Sequence, residues 1–84
     1  MIYLIFSHAG LAEAINDIIA DKATLWVNDD ILTPEQSAEL ATANIDVHLL
    51  PTFVKPSDEK GIVVALELVE QESEKGVEIL VEYS

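Results

Sequence analysis

Ser7 and His8 are the first residues along the chain whose types could do chemistry, because they separate an apolar run, MIYLIF, from a helical pattern that starts near Gly10. A neutral imidazole at such a point suits a general base, a metal ligand or a nucleophile that accepts a phosphoryl group. A phosphoryl group there would also gain from the free N–H groups and the positive end of the following helix. The structural alternative is that Ser7 or His8 caps the helix and Gly10 relieves crowding in its first turn.

Polar side chains also follow the second and third apolar runs. Asn28, Asp29 and Asp30 come after one run, and Thr52 comes shortly after the other. Ligands of open parallel sheets bind beyond the carboxyl ends of the strands. These residues are therefore expected to share one binding rim with the Ser7-His8 pair.

The two adjacent aspartates, Asp29 and Asp30, have more than one interpretation. They resemble one side of a magnesium-type carboxylate site, or an acid partner for His8, and adjacent aspartates after a strand also form turns. No third acid directly follows the first or third run. The sequence therefore predicts no metal site and no cofactor.

The other residues whose types could do chemistry are expected to have structural roles. His48 lies within a predicted strand as a core or surface residue, Trp26 is expected as a core anchor, and the C-terminal glutamates are expected on a solvated helix face. The chain contains no cysteine, no HExxH and no GxSxG. Since no complete catalytic set is present, an enzyme acting alone is not expected.

Three strands and two helices are indicated before Pro51. MIYLIF, ATLWV and IDVHLL are short apolar runs typical of buried strands. Apolar residues at three- and four-residue spacing predict the first helix. Thr33-Pro34-Glu35-Gln36 combines an N-cap hydroxyl, a proline at the first helical position and a capping-box glutamine, so a second helix is expected to run to about Ala43 and stop at Asn44.

The segment after Pro56 has two interpretations. A helix capped by Ser57 would carry an apolar stripe and stop at Lys75-Gly76, with VEILVEY (77–83) as the last strand. In the alternative, IVVALELV (62–69) and VEILVEY form a β-hairpin. The start and stop signals favour the helix, although Gly61 counts against it by about 1 kcal/mol.

The resulting order, βαβαβαβ, predicts a single three-layer α/β domain over residues 1–84, with a four-stranded, mainly parallel sheet. The hairpin alternative gives βαβαβ followed by two antiparallel strands. Strand orders 2-1-3-4 and 3-2-1-4 are both open.

Charge restricts the partners. Sixteen acidic residues against four lysines and no arginine leave a net charge of −12. Direct contact with nucleic acid or with an anionic membrane is disfavoured, whereas other protein subunits with basic surfaces suit an acidic face, in a homo- or hetero-oligomer. The lack of cysteine, of a basic signal-peptide start and of an apolar run near 18–20 residues predicts a cytoplasmic protein.

Residues 1–50 resemble the small DsrE/DsrH-like sulfur-relay subunits, most of all the DsrH type. The resemblance is carried by Met1-Ile2-Tyr3-Leu4-Ile5, by Asp29-Asp30-Ile31 where that family has Asp-Gly-Val, and by Val47-His48-Leu49-Leu50. It implies a cytoplasmic subunit of a hetero-oligomer that passes persulfide sulfur, as in tRNA thiolation. Without a cysteine, this chain could be only a scaffolding partner.

A shorter stretch, residues 7–13, is similar to the opening of mannose-type phosphotransferase IIA domains, on Ser7-His8 and Leu11-Ala12-Glu13. In that family the histidine after the first strand is phosphorylated, and His8 is the matching residue. The leading hypothesis is a noncatalytic protein-interaction subunit of a small cytoplasmic complex of the sulfur-relay type. The alternatives are a phosphoryl carrier or small enzyme using His8, and a small-ligand-binding module.

Overall fold

The computed structural model describes residues 1–82, so Tyr83, at the end of the expected last strand, lies outside the described residues. Four strands alternate with three helices, and a short 3₁₀ turn, Asp29–Ile31, follows the second strand. The elements are β1 (Ile2–Ile5), α1 (His8–Asp21), β2 (Thr24–Val27), α2 (Pro34–Thr42), β3 (Val47–Leu49), α3 (Glu59–Gln71) and β4 (Ile79–Val81).

The four strands form one parallel sheet in the order β3-β2-β1-β4. The predicted three-layer α/β class with a parallel sheet is confirmed, and 3-2-1-4 is the order adopted. Leu4 is opposite Trp26 in β2 and Val81 in β4, and Trp26 is opposite His48 in β3. The first two crossovers step in one direction along the sheet, whereas the third returns over β2 and β1 to reach the opposite edge.

Each face of the sheet has its own apolar core. On one face, α1 and α2 bury Leu11, Ile18 and Leu40 against Leu25 and other strand residues. On the other face, α3 packs its stripe of Ile62, Ala65 and Val69 against Leu4, Phe6 and Trp26. The two cores follow from the handedness of the crossovers, because a right-handed return in the opposite direction must cross the opposite face.

The helix starts follow local capping chemistry. The Thr33–Gln36 capping box forms as predicted, and Asn44 takes a positive φ of 60° just after α2. The cap of α3 is Asp58 rather than the predicted Ser57, since the Asp58 side chain accepts the Gly61 N–H at 3.1 Å. Gly61 therefore lies in the first turn, where an added Cβ would come within 2.7 Å of Asp58 Oδ2, so it favours this start instead of opposing the helix.

Helix α3 decides between the two interpretations of the segment after Pro56. Residues 62–69, which a β-hairpin would need as a strand, are helical. The helix ends at Gln71, four residues before the predicted Lys75 stop, and Gly76 instead adopts a φ of 88° in the turn that leads into β4. No helix within residues 1–82 is long and apolar enough to cross a membrane.

Trp26 is buried as expected, and one of its ring faces is stacked on His48. The two ring centroids lie 4.6 Å apart with an interplanar angle of 15°. His48 is exposed on β3, which is an edge strand of the sheet. The stacked His48 ring shields one face of the Trp26 ring from solvent.

Tyr3 gives the fold a specific sensitivity to alkaline pH. Burial raises the pKa of its phenol, and the bond from Tyr3 Oη to Asp21 Oδ2 (3.2 Å) and the negative charges of Asp21, Asp17 and Glu78 raise it further. A pKa that is higher in the folded than in the unfolded chain contributes stability that is complete below about pH 10 and is lost as the pH rises through the folded-state pKa.

We therefore expect urea denaturation midpoints of the wild-type protein to fall between about pH 9 and pH 12 more steeply than those of Tyr3→Phe. The difference in phenolate absorbance between the two proteins, followed in parallel, would report the titration of Tyr3, since the other tyrosine of the chain is present in both. Parallel midpoint curves for the two proteins would contradict the prediction.

Candidate functional site

The carboxyl ends of β1 and β4 form the natural place for a site in this fold. The chain steps from β1 toward β2 and β3 on one side, and β4 lies on the other side of β1. Ligands of open α/β sheets bind where the strand order reverses in this way. Ser7 and His8 follow β1 at this point, and Glu82 follows β4.

The Glu82 carboxylate occupies the position that an anionic ligand would take. Its Oε1 accepts the backbone N–H groups of Phe6 at 2.7 Å and Ser7 at 3.0 Å, and its Oε2 accepts the Ser7 hydroxyl at 2.5 Å. Helix α1 starts at the next residue, so the negative charge also lies at the positive end of the helix dipole. The chain therefore supplies its own anion to this site.

Ser7 is fully engaged in this arrangement. Its Oγ donates to Glu82 and accepts the Gly10 N–H at 3.0 Å, which caps α1. A Cβ on Gly10 would lie within 2.6 Å of Glu82 Oε1. The glycine thus relieves crowding in the first turn, as the sequence suggested, and the group that crowds it is the Glu82 carboxylate.

His8 is the exposed first residue of α1. Within residues 1–82, no acidic side chain forms a hydrogen bond to its imidazole. A histidine that acts as a base or nucleophile is normally held in position by such a partner. The ring is accessible to a reagent, but its orientation is not held by another side chain.

Asn28 lies inside the protein instead of on the rim. Its side chain is fully buried, and its Nδ2 donates to Phe6 O at 2.9 Å and to Val54 O at 2.6 Å. Its Oδ1 accepts the Val54 N–H at 3.0 Å. The Asn28 amide therefore forms hydrogen bonds to backbone groups on both sides and so connects the end of β1 to the loop after β3.

Asp29, Asp30 and Thr52, the other rim residues, form no hydrogen bond to Ser7 or Glu82 within residues 1–82. Asp29 and Asp30 are exposed in the 3₁₀ turn and border a depression with Pro51 and Phe53. Thr52 is exposed as well and borders a neighbouring groove. No hydrogen bond joins His8 to either aspartate in the described part of the chain, and residues 1–82 contain no group of three His, Asp or Glu side chains placed to hold a metal ion.

Glu82 is the site residue that the sequence analysis misses, because it places all the C-terminal glutamates on a helix face. Glu67 and Glu70 do lie on the exposed side of α3, whereas Glu78 and Glu82 flank β4. The expected last strand, residues 77–83, encloses Glu82, whereas β4 ends at Val81. With that end, the rule that places Ser7 on the rim also places Glu82 there.

A second, apolar concavity lies between the loop after β3 and α3. This groove, about 330 Å³, is bordered mainly by Leu50, Pro51, Phe53, Val64 and Leu68. Phe53 is 55% exposed and Val64 is 66% exposed. Asp58 and Lys60 lie at its border. We refer to it as the Phe53 groove.

Scans against protein-family models, curated proteins and solved structures found no significant match for this chain. The resemblances to sulfur-relay subunits and to phosphotransferase domains stay predictions.

Proposed function

We propose that this chain is a noncatalytic subunit of a small cytoplasmic protein complex and that it binds its partner through the Phe53 groove. The observation that carries the proposal is the exposure of two large apolar side chains, Phe53 and Val64, on opposite sides of one concavity. Single exposed apolar residues are ordinary, but apolar residues grouped around a concavity mark binding surfaces.

The polar residues of the rim support the same proposal, because their side chains form hydrogen bonds within the protein. Ser7 and Glu82 bond each other, and Asn28 bonds backbone groups of the loop after β3. A phosphoryl group at the start of α1 would meet the Glu82 carboxylate, and like charges in such a position repel. This favours the interaction role over the phosphoryl carrier that uses His8.

The partner is expected to be a different protein with a basic surface around an apolar side chain. Each copy carries a net charge of −12, so two copies would approach each other against electrostatic repulsion. A basic partner is attracted by the same charge, and its apolar side chain would fill the groove between Phe53 and Val64.

A sulfur-relay complex is one setting for such a subunit. The chain has no cysteine and therefore cannot carry persulfide sulfur itself. In that setting it would hold cysteine-bearing subunits in place, which is the scaffold form of the role that the DsrH-type resemblance implies.

The test is affinity capture of the tagged chain from lysate of its source organism, with partners identified by mass spectrometry. Four proteins are compared: wild type, His8→Ala, Phe53→Ser/Val64→Ser, and Val63→Ser. Val63 is the matched control, because it is 54% exposed on the same helix but does not border the groove. We expect the same partner with wild type, His8→Ala and Val63→Ser, and at least tenfold less of it with the groove variant.

A partner that is lost with His8→Ala and kept with Phe53→Ser/Val64→Ser would overturn the proposal in favour of a role for the histidine. Equal capture by all four proteins would also contradict it, since the groove would then make no contribution. Circular dichroism of each variant checks that the fold is retained.

A further inference from the structure

The β4 edge of the sheet offers a second contact surface, distinct from the Phe53 groove. β4 is the last strand of the order β3-β2-β1-β4, and no described residue pairs with its outer side. Toward β1, Glu78 O accepts the Ile2 N–H at 2.9 Å and the Glu82 N–H donates to Leu4 O at 2.9 Å. Because backbone groups alternate in direction along a strand, the N–H and C=O groups of Ile79 and Val81 point outward.

An uncovered strip of sheet face lies beside this edge, on the side that carries α1. Leu80 points toward that side and is 39% exposed, because α1 packs over β1 and β2 and leaves β4 open. The strip forms a groove of about 550 Å³ between α1 and β4, with Tyr3, Ala14 and Leu80 among the residues that border it. We refer to it as the β4 groove.

The charges around the β4 groove all have the same sign. Glu13, Asp17 and Glu82 border it, and no lysine does. Asp21 and Glu78 also lie close enough to act on the Tyr3 phenol at its floor. In contrast, the Phe53 groove has Lys60 on its border.

We propose that the β4 edge binds an extended, lysine- or arginine-bearing segment of a partner protein, which adds a fifth strand next to β4. Backbone pairing with Ile79 and Val81 would hold the segment, one alternate apolar side chain would cover Leu80, and cationic side chains would face Glu13 and Asp17. The inference deepens the proposed interaction role and rests on it. A second copy of this chain fits less well, because it would place its own acidic residues against these.

The test uses a synthetic peptide, Thr-Lys-Thr-Leu-Thr-Lys-Thr, labelled with a fluorophore and titrated with the purified chain; as a strand it places its leucine and both lysines on the same face, as the β4 groove requires. A sequence of general β-forming character is sufficient, because the proposal depends on backbone pairing and charge. Two charge-reversal variants are compared with wild type. Glu13→Lys/Asp17→Lys alters the β4 groove, and Glu35→Lys/Glu39→Lys alters exposed residues of α2 at the same four-residue spacing and with the same change in net charge.

We expect the groove variant to bind the peptide at least tenfold more weakly and the α2 variant to bind within threefold of wild type. Hydrogen exchange measured by NMR should show that the Ile79 and Val81 amides become protected when the peptide binds. A peptide with proline in place of both its central leucine and the following threonine should bind at least tenfold more weakly, because in either strand direction one of these two residues supplies an N–H to β4.

Equal loss of affinity in both charge-reversal variants, or no binding at millimolar peptide, would overturn the proposal. So would protection of Ile79 and Val81 without peptide in a sample that sediments as a dimer, since a second copy would then occupy the edge. These results are separable from the capture experiment: a partner lost with Phe53→Ser/Val64→Ser but kept with Glu13→Lys/Asp17→Lys would support the proposed function and reject the β4 site.

Discussion

Replacing Asn28 with alanine is expected to lower the free energy of unfolding by about 3–5 kcal/mol. The variant leaves three backbone groups without their partner, namely the carbonyls of Phe6 and Val54 and the N–H of Val54. Asn28 and Val54 are both buried, so water does not readily replace the lost amide. Each unsatisfied buried group costs about 1–3 kcal/mol, against a total stability of about 4–13 kcal/mol for a domain of this size.

The measurement is urea denaturation followed by circular dichroism and by Trp26 fluorescence. Asn16→Ala is the matched control, because Asn16 is an exposed residue of α1 and its replacement should change stability by less than about 0.5 kcal/mol. If Asn28→Ala does not fold at 25 °C, the loss is at least as large as expected. A change of under about 1 kcal/mol would contradict the structural role of the buried amide.

The second large effect concerns Glu82, which ties the end of β4 to the start of α1. Glu82→Ala removes three hydrogen bonds and a favourable charge at the helix start, and we expect it to lower the free energy of unfolding by about 2–3 kcal/mol. Glu82→Gln should lose less, because an amide oxygen still accepts backbone N–H groups. Urea denaturation of the three proteins ranks these losses.

Gly10 provides a sharper version of the same test. In the wild-type protein, Gly10→Ala should be destabilising by about 1–2 kcal/mol, because its Cβ would displace the Glu82 carboxylate. In the Glu82→Ala background the same change should be stabilising by about 0.5–1 kcal/mol, since alanine is the better helix former. The sign of the effect is therefore expected to reverse, which gives a coupling free energy of about 2 kcal/mol.

Gly61→Ala is the control for this cycle. Gly61 also lies in the first turn of a helix and is crowded by a carboxylate, but that carboxylate belongs to Asp58. Its replacement should have the same effect with and without Glu82. If Gly10→Ala were equally destabilising in both backgrounds, Glu82 would not be the group that requires a glycine.

Much of the fold could be predicted because the signals act over a few residues. The spacing of apolar residues indicates α1 and favours α3, and the Thr33–Gln36 capping box marks the start of α2. The error in the start of α3 also concerns neighbouring residues. Ser57 and Asp58 are both good caps, and only the position of the Gly61 N–H selects the aspartate.

The candidate site could be predicted in part. The carboxyl-end rule selects Ser7, and the structure places Ser7 after β1, beside the point where the strand order reverses. The rule also placed Asn28 on the rim, whereas the loop after β3 folds over that side chain and buries it. Whether a polar residue after a strand faces solvent or a covering loop depends on residues 26 positions away, and no local pattern contains that information.

The sequence by itself determined where the elements before Pro51 lie and how α2 begins, because hydrophobic spacing and capping involve neighbours within four residues, whereas it left residues 62–69 open between a helix and a strand. Only the tertiary structure decided that β4 pairs with β1, and hence that Glu82 reaches Ser7 across 75 residues. The apolar pattern is compatible with both strand orders, since it indicates where each strand lies but not which strands pair. The choice depends on how α3 crosses the sheet, and it places a carboxylate at the start of α1 and leaves the outer edge of β4 without a pairing strand among residues 1–82.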